Sequence, residues 1–123
     1  MILVDTSVWI DHLREGNPLL ARALEHARVL MHPFILGELA CGNLKNRQEV
    51  LGLLNELPRV TTATDSEALS FIERRTLMGR GIGYLDVHLL ASAFLGGGVQ
   101  LWTKDKRLAA VAAELGVAYA EGA

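Results

Sequence analysis

The chain has 123 residues, a formal net charge of −2 and an apolar content of 50%. That length suits one compact domain, residues 1–123, with a core that needs no covalent or metal staple, and the composition excludes a disordered chain. A lone cysteine, Cys41, excludes an intramolecular disulfide and a multi-cysteine zinc site, and fits a reducing compartment.

A mean hydropathy of +0.25 is high for so small a domain. Apolar surface left outside the core is expected to be covered by a second copy, as a homodimer, or by a partner protein. The longest uncharged stretch, Leu89 to Thr103, has 15 residues and includes three consecutive glycines, so no membrane span is expected. No basic segment precedes Ile2-Leu3-Val4, so it does not read as a secretory signal, and the expected location is cytoplasmic.

Ile2-Leu3-Val4 is a short apolar run ending at Asp5 and predicts a buried parallel strand. Thr6 and Ser7 are placed to cap a helix carrying Val8, Trp9, Ile10 and Leu13. Asn17-Pro18 starts a second helix, with Leu20, Leu24 and Ala27 at helical spacing. Val29 to Met31 reads as a second strand. Pro33 opens a helix from Phe34 to about Cys41, stopped at Gly42. Gln48 to Leu57 is helical, with Leu51, Leu54 and Leu57 as an apolar row. Val60-Thr61 reads as a third strand. Thr64 and Glu67 form a capping box before a helix through Leu77. Gly79, Gly81 and Gly83 interrupt the chain, and a helix from about Tyr84 to Leu95 follows. Val99 to Trp102 is the fourth strand, Lys104 to Leu115 a helix ended by Gly116, and Val117 to Tyr119 the fifth strand. Such alternation implies an α/β fold with a mostly parallel sheet covered on both faces. Ligands bind such sheets beyond the carboxyl ends of the strands.

Four acids attract notice there. Asp5 directly follows the first strand, and Asp105 lies just after the fourth. Asp86 sits near a helix start, with Leu89 and Leu90 at i+3 and i+4, which puts it on or beside a buried face. Glu38 interrupts the otherwise apolar helix Phe34-Ile35-Leu36-Gly37-Glu38-Leu39-Ala40-Cys41, where an uncompensated carboxylate costs several kcal/mol. Each acid has a plain structural alternative: Asp5 and Asp105 as helix caps, Asp86 as a first-turn surface acid, Glu38 paired with Arg47. One divalent-cation site accounts for all four together. Clustered carboxylates repel one another, and bound Mg²⁺ (or Mn²⁺), which suits all-oxygen ligation, relieves the repulsion.

These segments carry a family resemblance. Ile2-Leu3-Val4-Asp5-Thr6-Ser7-Val8-Trp9-Ile10 resembles the opening motif of PIN-domain ribonucleases, and more closely that of VapC-type toxins of type II toxin–antitoxin pairs. Pro33 to Leu39 is similar to their second motif, with Glu38 as its acid. Gly83 to Ala93 is similar to the third, with Asp86, and Leu101 to Leu108 to the fourth, with Asp105. Leu108 departs from the aromatic residue that many relatives carry there. The resemblance spans essentially the whole chain. It implies a PIN-like three-layer sandwich around a five-stranded, mostly parallel sheet. It also implies a metal-dependent endoribonuclease in which Asp5, Glu38, Asp86 and Asp105 are catalytic and metal-binding. Asp5 and Asp86 would hold the cation most directly, with Glu38 and Asp105 acting through water or a second ion. Water activated by the metal would attack the phosphodiester in line, leaving a 3′-hydroxyl and a 5′-phosphate. Ser7 and Thr103 are candidates for hydrogen bonds that orient the acids, with helix capping as their alternative. A cognate antitoxin protein is implied as a partner, its peptide cradled by helices such as the one bearing the Leu51, Leu54 and Leu57 row.

An acidic chain is an unusual partner for RNA. Setting the four acids aside, however, leaves the remainder net positive. Lys45, Arg47, Arg74, Arg75, Arg80, Lys104, Lys106 and Arg107 are the basic residues considered. Arg80, Lys104, Lys106 and Arg107 are the candidates for phosphate contact, while Arg74 or Arg75 fits a solvated helix face. Gly79 to Gly83 lacks the Walker ending and does not follow a strand, so it reads as a flexible connection beside Asp86. His12, His26, His32 and His88 have no metal-ligand spacing, His88 reads as structural, and Cys41 reads as a small core residue. A haloacid-dehalogenase-type phosphatase would need an Asp two residues after Asp5, where Ser7 stands. A receiver domain would need an acidic pair near the first strand and a phosphoacceptor after the third. The remaining alternative is a catalytically silent PIN-like scaffold that binds RNA or protein.

Overall fold

The computed structural model describes residues 1–121. The elements run β1 (Ile2–Val4), α1 (Thr6–Glu15), α2 (Pro18–Glu25), β2 (Val29–Leu30), α3 (Pro33–Ala40), α4 (Arg47–Asn55), α5 (Asp65–Arg75), α6 (Tyr84–Leu95), β3 (Gln100–Trp102) and α7 (Lys106–Glu114). The parallel sheet has the order β2-β1-β3. Leu3 pairs with Leu30 on one side and Leu101 on the other, and Val4 pairs with Trp102. The wholly apolar sequence of β1 follows from this central position, since its three residues are all buried.

The five expected strands are three strands with a single parallel bridge at each edge, Met31 to Arg59 and Leu101 to Ala118. Each bridge has one pair of rungs. Met31 N–H donates to Pro58 O (2.8 Å) and Val60 N–H to Met31 O (3.0 Å). Leu101 N–H donates to Val117 O (2.6 Å) and Tyr119 N–H to Leu101 O (3.0 Å). Val60-Thr61 and Val117 to Tyr119 therefore run where the outer strands were expected but do not extend into them. On the β2 side the next residues, His32-Pro33, already begin α3, and Pro33 has no N–H for a further rung.

Helix ends follow their cap chemistry. Asn17 Oδ1 accepts from Leu19 N–H (3.0 Å) and Leu20 N–H (3.1 Å). Thr64 and Glu67 form the full capping box. The expected boundaries shift where a cap intervenes: α5 stops at Arg75 because Thr76 turns left-handed (φ 55°), and α7 begins at Lys106 because Asp105 is its N-cap. The helix expected over Gln48 to Leu57 is one residue earlier at its start and ends at Asn55; of its leucine row, Leu54 is buried, while Leu51 and Leu57 are half-buried.

The core runs from β1 and β3 into α6, whose residues Val87 to Ala93 are all buried. Trp9 and Trp102 are the largest side chains enclosed. Cys41 is exposed at the end of α3, not in the core. α3 buries only Ile35 and Leu39, one turn apart, and the chain has already turned outward at Cys41.

α3 is held against α6 by aromatic contacts. Phe34 stands edge-on to His88, ring centroids 4.9 Å apart, and Tyr84 stands edge-on to the same imidazole at 4.7 Å. His88 is buried in this group, in line with a structural role. Its Nε2 stands 3.2 Å from Asp65 Oδ1, out of hydrogen-bonding alignment. His32 caps α3, its Nδ1 accepting from Phe34 N–H at 2.9 Å. The ring must stay neutral to accept there. Burial, with His88 and Arg59 nearby, pushes its pKa down to about 4.

Acid should therefore weaken the fold. Between the ordinary value of 6.5 and about 4, the unfolded imidazole takes up a proton and the folded one does not. Stability measured by urea unfolding is expected to be full above that window and to fall by up to about 3 kcal/mol across it. His32→Asn, which keeps a cap acceptor, should remove most of the fall. His12, also lowered by burial, retains the rest.

Candidate active site

Asp5 ends β1 and occupies the N-cap position of α1, yet its carboxylate does not cap that helix. Its N–H donates to Trp102 O at 2.9 Å, fixing it beside the end of β3. Its side chain is buried. Oδ2 accepts from Ser7 Oγ at 2.8 Å and from Thr103 Oγ1 at 2.8 Å. Each hydroxyl in turn accepts a backbone N–H from the next turn: Lys104 N–H to Ser7 Oγ, and Asp105 N–H to Thr103 Oγ1, both 3.1 Å. A hydroxyl has one proton, and both protons go to Oδ2. Among the described residues no donor meets Oδ1. Ser7 and Thr103 thus both donate to the Asp5 carboxylate.

Asp105 caps α7, its Oδ1 accepting from Arg107 N–H (2.9 Å) and Leu108 N–H (3.1 Å). Its capping role and its place beside Asp5 coexist. Asp86 lies in the first turn of α6, where its Oδ2 accepts from Gly83 N–H at 3.1 Å. Its pKa is raised above the ordinary carboxylate range. Burial is the main cause, and the charges of Asp5 and Asp105 add to it, against the lowering bond from Gly83. The ends of β1 and β3 and the start of α6 thus place Asp5 and Asp105 near enough for their charges to act on Asp86.

Glu38 stands one step outside. It is exposed, contrary to the expectation that it burdens an apolar stripe. At 100° per residue it lies about 60° off Ile35 and 100° off Leu39, on the flank of the buried edge. Its Oε1 accepts from Thr6 Oγ1 at 2.8 Å. Arg47, the alternative partner, instead donates to Ala40 O and, at 2.9 Å, to Gly42 O. Thr6 was missed as a site residue. It ties Glu38 to the residue next to Asp5, and its place in the run Asp5-Thr6-Ser7 was the only available signal.

The candidate phosphate contacts divide. Arg80 is paired with Glu114 at 2.8 Å, and Lys104 is paired with Asp11. Lys106 and Arg107 are exposed in the first turn of α7.

The donor set is all carboxylate oxygen, with Asp5 Oδ1 unspent and Asp86 strained by like charge. That chemistry fits a hard divalent cation, which would relieve the repulsion. Among the described residues no three His, Cys, Asp or Glu side chains already close around a point as a finished cage.

Fold and site together define an α/β protein that gathers acids at the carboxyl edge of a parallel sheet. The chain belongs to the PIN domain family, whose model matches residues 2–114. It is similar to Ribonuclease VapC32 of Mycobacterium tuberculosis, at 50% identity over 121 residues, 98% of each chain, in both strain CDC 1551 / Oshkosh and strain ATCC 25618 / H37Rv.

Thr103→Val removes one donor to Asp5 and the acceptor for Asp105 N–H. It is expected to cost about 1–2 kcal/mol in urea unfolding, with Thr103→Ser close to the native protein.

Proposed function

We propose that this chain is a divalent-metal-dependent endoribonuclease, the toxin of a toxin–antitoxin pair. The observation that carries the reading is the shared field of Asp5, Asp86 and Asp105 at the sheet edge, in a chain half identical to a protein named a ribonuclease. Asp5 and Asp86 would hold Mg²⁺ or Mn²⁺, with Glu38 and Asp105 beside them. When bound, the cation supplies positive charge for the phosphate and acidifies a water molecule.

The chain's own residues do the positioning. The Ser7 and Thr103 hydroxyls fix Asp5 Oδ2 and leave Oδ1 without a donor among the described residues. Gly83 N–H does the same for Asp86. Asp105 holds one oxygen on the α7 backbone, which sets the direction of the other. Thr6 keeps Glu38 at the margin, where a carboxylate is able to accept a proton from a water approaching the phosphate.

Residues 1–123 are read as one PIN domain. No helix among the described residues is long and apolar enough to cross a membrane, and a cytoplasmic location is proposed. A homodimer and a cognate antitoxin are proposed to cover exposed apolar side chains such as Leu53, Leu69 and Leu95.

The test is cleavage of a mixed cellular RNA pool by the purified protein with Mg²⁺, with Mn²⁺ and with chelator. Cutting is expected only with metal. Asp5→Asn and Asp86→Asn, folded by circular dichroism, should each lower it by more than about a hundredfold. Uncut RNA that remains bound under every condition would instead establish the scaffold reading.

A further inference from the structure

Of the basic residues around the acids, one is seated in a way that capping and charge balance do not explain. Arg107 lies in the first turn of α7, its N–H bonded to Asp105 Oδ1 at 2.9 Å. Its side chain is laid across Gly81. A Cβ on that glycine would stand 2.7 Å from Arg107 Cδ, 2.9 Å from Nη1 and 3.2 Å from Nε. The outer half of the side chain, guanidinium included, therefore occupies the space beside Gly81 that a Cβ would fill. The backbone calls for the glycine, since its φ is +80°, and a Cβ there would push the Arg107 side chain off its place.

The segment beneath the arginine is tied at both ends. Arg80 is anchored to Glu114 on α7 at 2.8 Å, and Gly83 N–H is bonded to Asp86 Oδ2 at 3.1 Å. One short loop thus carries both the seat of Arg107 and the donor that orients Asp86. The connection expected to be flexible is a shelf.

Two of the neighbouring cations are spent elsewhere, and Lys106, exposed in the same turn, has no comparable seat among the described residues. Arg80 and Lys104 are neutralised by Glu114 and Asp11. Farther off, Arg59 donates to Asn55, and Arg75 lies over the ring of Phe94 at 4.5 Å. Among the described residues, the Arg107 guanidinium meets no carboxylate and donates no hydrogen bond, although Asp105 shares its turn. It is exposed. A planar fork, held in place by packing with its donors unspent beside a group of acids, is suited to take a phosphate in two parallel bonds.

We propose that Arg107, seated on Gly81, is the positioning residue that holds a backbone phosphate of the RNA strand against Asp86 and Asp105. Resting on the ribonuclease reading, this assigns to Arg107 the strand contact that charge alone distributes over Arg80, Lys104, Lys106 and Arg107. Arg80 then serves the loop rather than the substrate.

The experiment has a binding arm and a cleavage arm. Binding of a mixed-sequence, fluorescein-labelled single-stranded RNA of about 20 nucleotides is followed by anisotropy across a salt series in chelator. Cleavage of the same RNA is followed in Mg²⁺, with kcat and KM separated. Arg107→Ala is expected to weaken binding and raise KM by about tenfold, to change kcat less, and to lower the salt slope by about one phosphate contact. Arg107→Lys restores the slope but only part of the affinity, because it returns the charge without the fork. Gly81→Ala leaves Arg107 in the chain but removes its seat, and reproduces the loss of affinity; a thermal melt confirms that it folds. Arg22→Ala, an exposed arginine on α2, matches the charge change and leaves both arms unaltered.

An Arg107→Ala protein with native KM and native salt slope would overturn the proposal. So would a folded Gly81→Ala protein with native affinity. If the native protein binds this RNA but never cuts it, the ribonuclease reading fails while the binding arm still decides on Arg107. If it neither binds nor cuts, both fail.

Discussion

The site depends on one carboxylate oxygen. Asp5 Oδ2 takes the only protons of Ser7 and Thr103, and those hydroxyls take the N–H groups of Lys104 and Asp105. Five consecutive polar groups are satisfied by this arrangement, on chain segments almost the full length of the sequence apart. Each bond is worth only about 1 kcal/mol net, but an unmade one in a buried place costs more than a made one returns. The network therefore has a single stable solution. It locks the end of β1 to the turn between β3 and α7, and the position of Asp105 is a consequence of the position of Asp5.

The second acid is placed by a different means. Asp86 rides on α6, the most deeply enclosed helix, whose buried run from Val87 to Ala93 leaves it no freedom to rotate. The aromatic group of Phe34, Tyr84 and His88 then fixes α3 against α6. Apolar packing thus sets the distance between the helices that bear Asp86 and Glu38, and hydrogen bonds set the directions of the carboxylates. Nothing in this division of labour neutralises the acids, and Asp86, raised chiefly by its burial and further by the charges of Asp5 and Asp105, holds its proton more tightly than an ordinary carboxylate. Bringing acids together in this way raises the cost of ionising them, which is the condition a bound cation would relieve under the reading proposed above.

Much of this was legible along the chain because it is local. The buried strand at Ile2-Leu3-Val4, the cap at Asn17-Pro18 and the box at Thr64 and Glu67 are each decided by residues within one turn of one another. The acids at the sheet edge were legible for a similar reason, since each stands next to the end of a strand or the start of a helix. What was not legible depends on residues far apart in sequence. The Thr6 bond to Glu38 spans two helices, and the pairing of Lys104 with Asp11 joins the turn after β3 to α1. The exposure of Glu38 and Cys41 turns on which side of a two-turn helix meets the core, and an almost uniformly apolar helix gives no period from which to read it. The outer strands were overread because β-branched residues announce a strand but not how many rungs its neighbour has left to offer.

Those short edges have an effect on how the molecule meets others. An exposed strand of ordinary length is a row of unpaired amides that invites another chain to add itself to the sheet. Among the described residues each border is a single bridge, reached by a segment that then leaves, and on the β2 side the chain enters α3 at Pro33 two residues after Met31. Borders this short offer a visiting strand little to copy. Side chains on helical surfaces are the larger part of what this fold presents, and there shape and charge discriminate between partners in a way that backbone pairing does not.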